Sequence, residues 1–234
     1  MRITQQPAYV LHARAWRETS LLLDVFSRDH GRVGLVAPGV RGARSRLPRS
    51  LLEPLQALRL DWGGRGELQT LMAVEPGGAV HALRGDALLS AMYVNELLVR
   101  LTARNDPHPA LFERYDTLLR TLTQAPTLAW SLRCFERDLL DALGYAPQLE
   151  TDVDTGAPID PARVYEYLPE QGAVAAAEGG VRVRGSALLA LASGEPPDAE
   201  DLAALRRLMR ALIGVHLGDR GLQSWRVLAG PLRK

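Results

Sequence analysis

Cysteine is almost missing from this chain: Cys134 is the only one in 234 residues. A single thiol excludes an intrachain disulfide and any zinc site built from clustered cysteines. Lysine is equally scarce, with Lys234 alone among 28 basic residues, so cationic chemistry falls to guanidinium groups. No apolar run approaches the roughly 18 residues needed to cross a bilayer. The N terminus also lacks the apolar core of a signal peptide, and the two absences together predict a cytoplasmic protein with no membrane partner. Neither the phosphate-binding G-x-x-x-x-G-K-[ST] loop nor the dinucleotide fingerprint occurs. His12, His30, His81, His108 and His216 are scattered, with no H-E-x-x-H and no carboxylate at ligand spacing. Cys134 stands beside Phe135 on an apolar helical pattern and reads as a packed thiol rather than a nucleophile. Asp152, Asp154 and Asp160 lack calcium-loop spacing and read as turn formers. No catalytic constellation remains, which predicts a protein that is not an enzyme and carries no cofactor or metal.

One further absence points to a function. Between Gly31 and Ser50 there is no Asp or Glu, yet Arg32, Arg41, Arg44, Arg46 and Arg49 all fall there. The stretch begins as a strand, with Val33, Leu35 and Ala37 alternating against Arg32, Gly34 and Val36. It ends as a loop rich in Gly, Pro, Ser and Arg. Guanidinium groups crowded on a short loop repel one another unless an anion lies among them. The bland reading is a solvated loop; the functional reading, which the position favours, is a clamp on a phosphate backbone. Overall charge supports it. Residues 1–80 carry 11 Arg against 7 Asp and Glu, whereas the rest carry 17 basic against 20 acidic residues.

Residues 1–80 read as short strands broken by turns: Tyr9–Ala13, a charged corner Arg14–Thr19, Ser20–Ser27, Gly31–Ala37, Pro54–Trp62 and Glu67–Val74. Gly63-Gly64-Arg65-Gly66 supplies a hairpin turn, since glycine tolerates positive φ. Five short antiparallel strands with one long loop fit a small, partly open barrel of the oligonucleotide/oligosaccharide-binding (OB) type; a small sandwich is the structural alternative. Of its few aromatics, Phe26 and Trp62 read as core, while Tyr9 and Trp16 are candidate stacking platforms for bases. The Gly39–Gly42 spacing of a GxxG clamp is a weak signal, because the helices that accompany such a clamp are missing. So few platforms beside so many arginines favour backbone attraction over base reading.

After Pro76-Gly77-Gly78 the period changes to 3.6. Leu83–Arg104 places Leu88, Met92 or Ala91, Asn95, Leu98 and Leu101 on one stripe. Asp106 and Pro107 read as N-cap and first residue of a second helix, bearing Leu111, Tyr115, Leu118 and Leu122. Pro126 opens a third, with Leu128, Leu132, Phe135, Leu139 and Leu143 inward and Gly144 at C′. Residues 145–184 read as irregular or weakly β. Ser186–Ala192 is a short helix, and Asp198 caps the last one, with Leu202, Leu205, Met209, Leu212 and His216 inward and Gly218 as its stop. The fold class is therefore α+β and multidomain. An OB-type barrel over residues 1–80 precedes a helical domain over 81–234, which carries an irregular, zinc-less, finger-like insert.

The stretches Ala8–Arg14, Glu18–Leu21, Gly31-Arg32-Val33, Val36–Arg41, Gly63–Glu67, Tyr93–Leu98, Leu132-Arg133 with Phe135-Glu136, Leu139-Leu140, Leu143-Gly144-Tyr145, and Leu222 with Ser224 occur in that order. Taken together they resemble the bacterial recombination mediator family RecO. The resemblance implies an N-terminal OB domain, a helical domain, and a role in the RecF pathway of recombinational repair. It implies binding of single- and double-stranded DNA and annealing of complementary strands. It also implies action with RecR in helping RecA displace single-strand-binding protein (SSB). Carried over, the DNA-facing groups are Arg32, Arg41, Arg44, Arg46, Arg49 and Arg65, joined by Arg14 from the charged corner and by Tyr9 and Trp16.

Two departures stand out. Paired C-x-x-C motifs of many RecO proteins align with Asp152, Thr155, Ala175 and Glu178, none a thiol, so zinc is expected to be lost. Near the end, Trp225 precedes Arg226 where the family often has Arg directly after Ser. The family's engagement of the acidic, apolar-ended SSB tail calls for an apolar pocket with a cation at its rim. Arg133, beside Leu132 and Phe135 on the third helix, is the candidate, against an ordinary solvated arginine. Two other classes compete: a small nucleic-acid-processing enzyme, which would need clustered carboxylates for Mg²⁺, and an interaction scaffold whose basic loop docks an acidic partner.

Overall fold

Alternation along the first third builds five strands in the computed structural model, which describes residues 2–42, 45, 47–78, 82–122, 128–175, 178–218 and 221–225. They are β1 (Arg2–Trp16), β2 (Ser20–Ser27), β3 (Gly31–Ala37), β4 (Ala57–Gly63) and β5 (Leu68–Pro76). β1 is long enough to pair with β2 through its second half and with β4 through its first, with a bulge on each side where it bends. The strand order β1-β2-β3-β5-β4 thus returns to β1. The weakest seam is β3–β5, parallel and only three residue pairs long, Gly34–Leu68 to Val36–Thr70. This is the OB arrangement expected from the sequence, with the ring of pairings completed rather than partly open. Inward positions Val10, Leu23, Val25, Leu35, Leu58, Leu60 and Trp62 form its core, and Val40, Leu47 and Leu52 from the β3–β4 connection plug one end. Trp62 is core, as its place in the alternation requires.

The outward face of β1 and β2 is also buried, which alternation alone does not reveal. Helices α1 (Gly85–Leu101) and α2 (Pro109–Thr121) lie against it. Phe112 packs on Tyr9 and Phe26, each with ring centroids 5.6 Å apart, and Tyr115 meets Tyr9 edge-on at 5.0 Å. Asn95 of α1 is buried; its Nδ2 donates to the Leu11 carbonyl at 3.0 Å, and its Oδ1 accepts from the Tyr115 hydroxyl at 2.5 Å. One amide therefore ties β1, α1 and α2 together. Of the expected stripe of α1, Ala91, Asn95 and Leu98 are buried, while Leu88 and Met92 are exposed. α2 starts at Pro109 with His108 at the cap, two residues beyond the expected Asp106 and Pro107.

The chain falls into two compact units, Met1–Thr123 with Leu222–Lys234, and Gln124–Gly221. The first contains α1 and α2 as well as the barrel, so compactness divides the chain later than residue 80. The second unit holds α3 (Leu128–Ala142), the strands β6 (Val164–Leu168), β7 (Gly172–Val174) and β8 (Val181–Arg184) in the order β7-β6-β8, then α4 (Gly185–Ser193) and α5 (Ala199–Leu217). Gly144, at φ +83°, ends α3 as a C′ residue, with the Tyr145 N–H bonded to the Leu140 carbonyl at 2.8 Å. Pro126 lies outside the described residues. Asp198 caps α5 by accepting from the Asp201 N–H at 2.8 Å. On α5, Leu205, Met209 and Leu212 are buried as expected, but His216 is exposed and stacks on Tyr145 at 4.0 Å. Among the described residues no helix is long and apolar enough to cross a membrane.

Candidate nucleic-acid interface

The arginine-rich stretch divides along its length. Arg32, on the outward face of β3, does not reach solvent as a free cation. Its Nε and Nη2 donate to the Thr102 carbonyl at 3.2 and 2.9 Å, and its Nη1 to Asp24 Oδ1 at 3.2 Å. Arg104 Nη2 donates to the same carboxylate oxygen at 2.9 Å. Burial, and then the neighbouring Arg104 charge, lower the Arg32 pKa. Thr102 caps the C-terminal end of α1, so Arg32 satisfies a carbonyl that the helix leaves open. The expectation that Arg32 faces DNA is corrected: it joins β3 to the α1–α2 connection.

The same connection fills the β2–β3 face, which OB folds commonly use for oligonucleotides. A Cβ on Gly34 would stand 2.3 Å from Arg104 Nη1, and one on Gly31 would stand 2.0 Å from the Asp106 carbonyl oxygen. These glycines let residues 104–106 lie directly on the strand. Tyr9 is likewise withdrawn. It is 1% exposed, its hydroxyl bonds to Asp116 Oδ1, and burial pushes its pKa to about 12. Its ring is covered by Phe112 and Tyr115, so it is no stacking platform.

Of the exposed arginines, Arg14, Arg17 and Arg41 gather at one end of the barrel. β2 and β3 pair Leu21 with Ala37, which sets the β1–β2 turn (Arg17–Thr19) beside the start of the β3–β4 connection. The two are bonded: the Arg41 N–H donates to the Thr19 carbonyl at 2.8 Å, and Arg41 Nη1 reaches the Arg17 carbonyl at 3.5 Å. The side chains of Arg14, Arg17, Arg41 and Arg49 are exposed, and none makes an ion pair among the described residues. Half-buried Trp16 stands opposite Ser20 at the same turn, and Glu18 is the one acid in it. Arg17 was missed in the sequence because it stands outside the acid-free run. Only the strand pairing brings it to Arg41, although its place in a charged corner was visible. Arg65 is exposed but sits on the β4–β5 turn, between Gly64 and Gly66, at the other end of the barrel. Arg44 and Arg46 lie outside the described residues.

In the second unit Arg133 is 7% exposed and its Nη2 is bonded to Glu136 Oε1, with Glu136 1% exposed. Leu132 and Phe135 are buried beside it. The Arg133 Nη2 is thus engaged within α3, while its buried Nε has no hydrogen-bond partner among the described residues; Arg133 is not the exposed rim cation that the sequence reading expects. Helical spacing put Arg133 at the edge of the apolar face, and the packing closes over that edge. The positions aligned with family thiols do not fit zinc: Asp152 is buried and its Oδ1 accepts from the N–H groups of Asp154 (3.0 Å) and Thr155 (3.4 Å). Asp160 Oδ1 accepts from the Ala162 N–H at 2.9 Å. Both are turn formers. Among the described residues no group of His, Cys, Asp and Glu could hold a metal.

An OB-type barrel with an uncompensated arginine end, carried with helices in an α+β chain, defines the class. The particular relationship follows from comparison with known proteins. Residues 1–79 match the family model "Recombination protein O N terminal" and residues 83–226 match "Recombination protein O C terminal". The protein named DNA repair protein RecO from Xanthomonas euvesicatoria pv. vesicatoria (strain 85-10) is 45% identical over 240 residues, covering all of both chains. Its namesake from Stenotrophomonas maltophilia (strain K279a) is 48% identical over 97% of each chain. That from Aromatoleum aromaticum is 48% identical over 97% of this chain and 95% of its own. The chain belongs to the RecO family.

Proposed function

We propose that this chain acts in recombinational DNA repair by binding DNA through the arginine end of its barrel. In this reading it binds single and double strands and anneals complementary ones. With RecR it helps load RecA on SSB-coated single strands, without cleaving or joining DNA itself. The family relationship supports a role in DNA repair; the pathway and the named partners are part of the proposal. The observation that carries the binding is the set Arg14, Arg17 and Arg41 at the turn that bears Trp16, with Arg49 further along the β3–β4 connection, all four exposed and without ion pairs among the described residues. Guanidinium groups so placed draw phosphates by counterion release, and one aromatic is enough for a sequence-tolerant stacking contact. The SSB tail remains a partner in this proposal.

The test is fluorescence anisotropy of a labelled single-stranded oligonucleotide across a salt series. Charge reversal at Arg14, Arg17 and Arg41 together should weaken binding to all sequences alike. It should also flatten the slope of log K against log salt by about 2, at roughly 0.7 per phosphate contact. An unchanged slope in the folded triple variant removes this end of the barrel from the interface.

A further inference from the structure

α5 carries its charges in two separate blocks. Its acids stand at the N-terminal end and are all engaged: Arg184 reaches Asp198 at 3.1 Å, Glu200 at 3.1 Å and Asp201 at 2.6 Å, and Ser186 Oγ donates to Asp201 Oδ2 at 2.7 Å. After Asp201 no carboxylate follows in the helix, and Arg206, Arg207 and Arg210 come instead, all exposed. Spacings of three and four residues put Arg210 on one face with both of the others, where like charges repel. Arg206 and Arg207 make no hydrogen bond or ion pair with the described residues. The helix cannot rotate to hide them, because Leu205, Leu208, Met209, Leu212 and Ile213 are buried on its opposite side. Ala203 and Gly214 flank the arginines, and a Cβ on Gly214 would meet nothing within 4 Å.

We propose that this face of α5 is a second phosphate-backbone contact, in the compact unit that does not contain the barrel, and that it holds a second nucleic-acid strand. The proposal rests on the barrel reading above. Arg206 and Arg207 are consecutive, exposed and without a hydrogen bond or ion pair among the described residues, so each can take a phosphate of one strand. A membrane surface is the poorer fit, since a helix lying in lipid needs several large apolar side chains beside its cations, and this face offers Ala203 and Gly214, with a half-buried Leu217 at its end. A protein with one strand on its barrel and another on α5 converts annealing from an encounter between free strands into one within a single complex.

The test uses the full chain with Arg206→Glu/Arg207→Glu, and with Arg206→Gln/Arg207→Gln as a milder variant, each checked for an unchanged melting curve. Two readouts are taken: anisotropy of a single-stranded oligonucleotide against salt, and annealing of complementary labelled strands by energy transfer. The Glu variant should lose about 1.4 from the salt slope, at roughly 0.7 per contact, and should anneal at least tenfold more slowly. The Gln variant should show a smaller loss of both. Wild-type slope and annealing rate in the folded Glu variant overturn the α5 contact, while the barrel variant still reports on the barrel. Loss of binding to polyglutamate, with DNA binding and annealing intact, overturns it in favour of an acidic protein partner. If the wild-type chain binds no DNA, the barrel reading fails first and this one with it.

Discussion

Arg133 and Glu136 stand one turn apart on α3 and are both buried, so neither charge is screened by water. Taking one partner away leaves the other charged in a low-dielectric interior, which typically costs about 3–5 kcal/mol, whereas replacing both by apolar groups is often neutral or stabilising. Arg133→Ala should therefore destabilise the protein by roughly that amount in urea unfolding, and Arg133→Met/Glu136→Leu should recover most of the loss. A neutral Arg133→Ala would mean that the guanidinium reaches solvent. Arg32 repeats the pattern on the barrel: a cation read as a DNA contact instead bonds a helix-end carbonyl and the Asp24 carboxylate.

At the scale of elements, β3 joins the barrel to the helices. Its pairing with β5 is short, and its outward face is pressed by residues 104–106. The two glycines that allow this differ in what an added methyl would strike. At Gly31, φ is +63° and the obstacle is the Asp106 backbone; at Gly34 it is the ends of the Arg104 and Leu68 side chains, which can swing away. Positive φ alone costs a non-glycine residue about 1–3 kcal/mol, and a backbone clash adds to it. Gly31→Ala should lower the melting temperature markedly more than Gly34→Ala. Equal losses would show that the connection does not bear on β3 as described.

For the whole molecule, the expectation drawn from the resemblance is that no zinc is held where paired C-x-x-C motifs would align. The loop after α3 is closed instead by the Asp152 carboxylate and by the bridges Thr151–Pro158 and Asp152–Ala173. Carboxylate and hydroxyl oxygens from these positions do not make the closed tetrahedral nitrogen and sulfur site that structural zinc prefers. Treatment of purified, untagged protein with a chelator should leave the thermal unfolding curve in place, and elemental analysis should find no stoichiometric zinc. A drop in melting temperature that zinc alone restores would reverse this.

The sequence by itself determined the barrel's inner face, since period-two alternation reports which side chains a closed sheet must bury. It also determined the ends of α3 and α5, where Gly144 and Asp198 satisfy local backbone geometry, and the acid-free arginine run, which is pure composition. Tyr9, Arg32 and Arg133 were decided only by tertiary structure. Each stands at an outward or edge position in its own element, and whether such a position meets water depends on distant residues: Phe112 and Tyr115 over Tyr9, Thr102 and Arg104 over Arg32. Arg17 and Arg41 become neighbours for the same reason, because strand pairing brings a β1–β2 turn beside a loop 24 residues further on. Local pattern records a side chain's preference for one face of its own element; only the packing of the second layer settles whether that face is solvent.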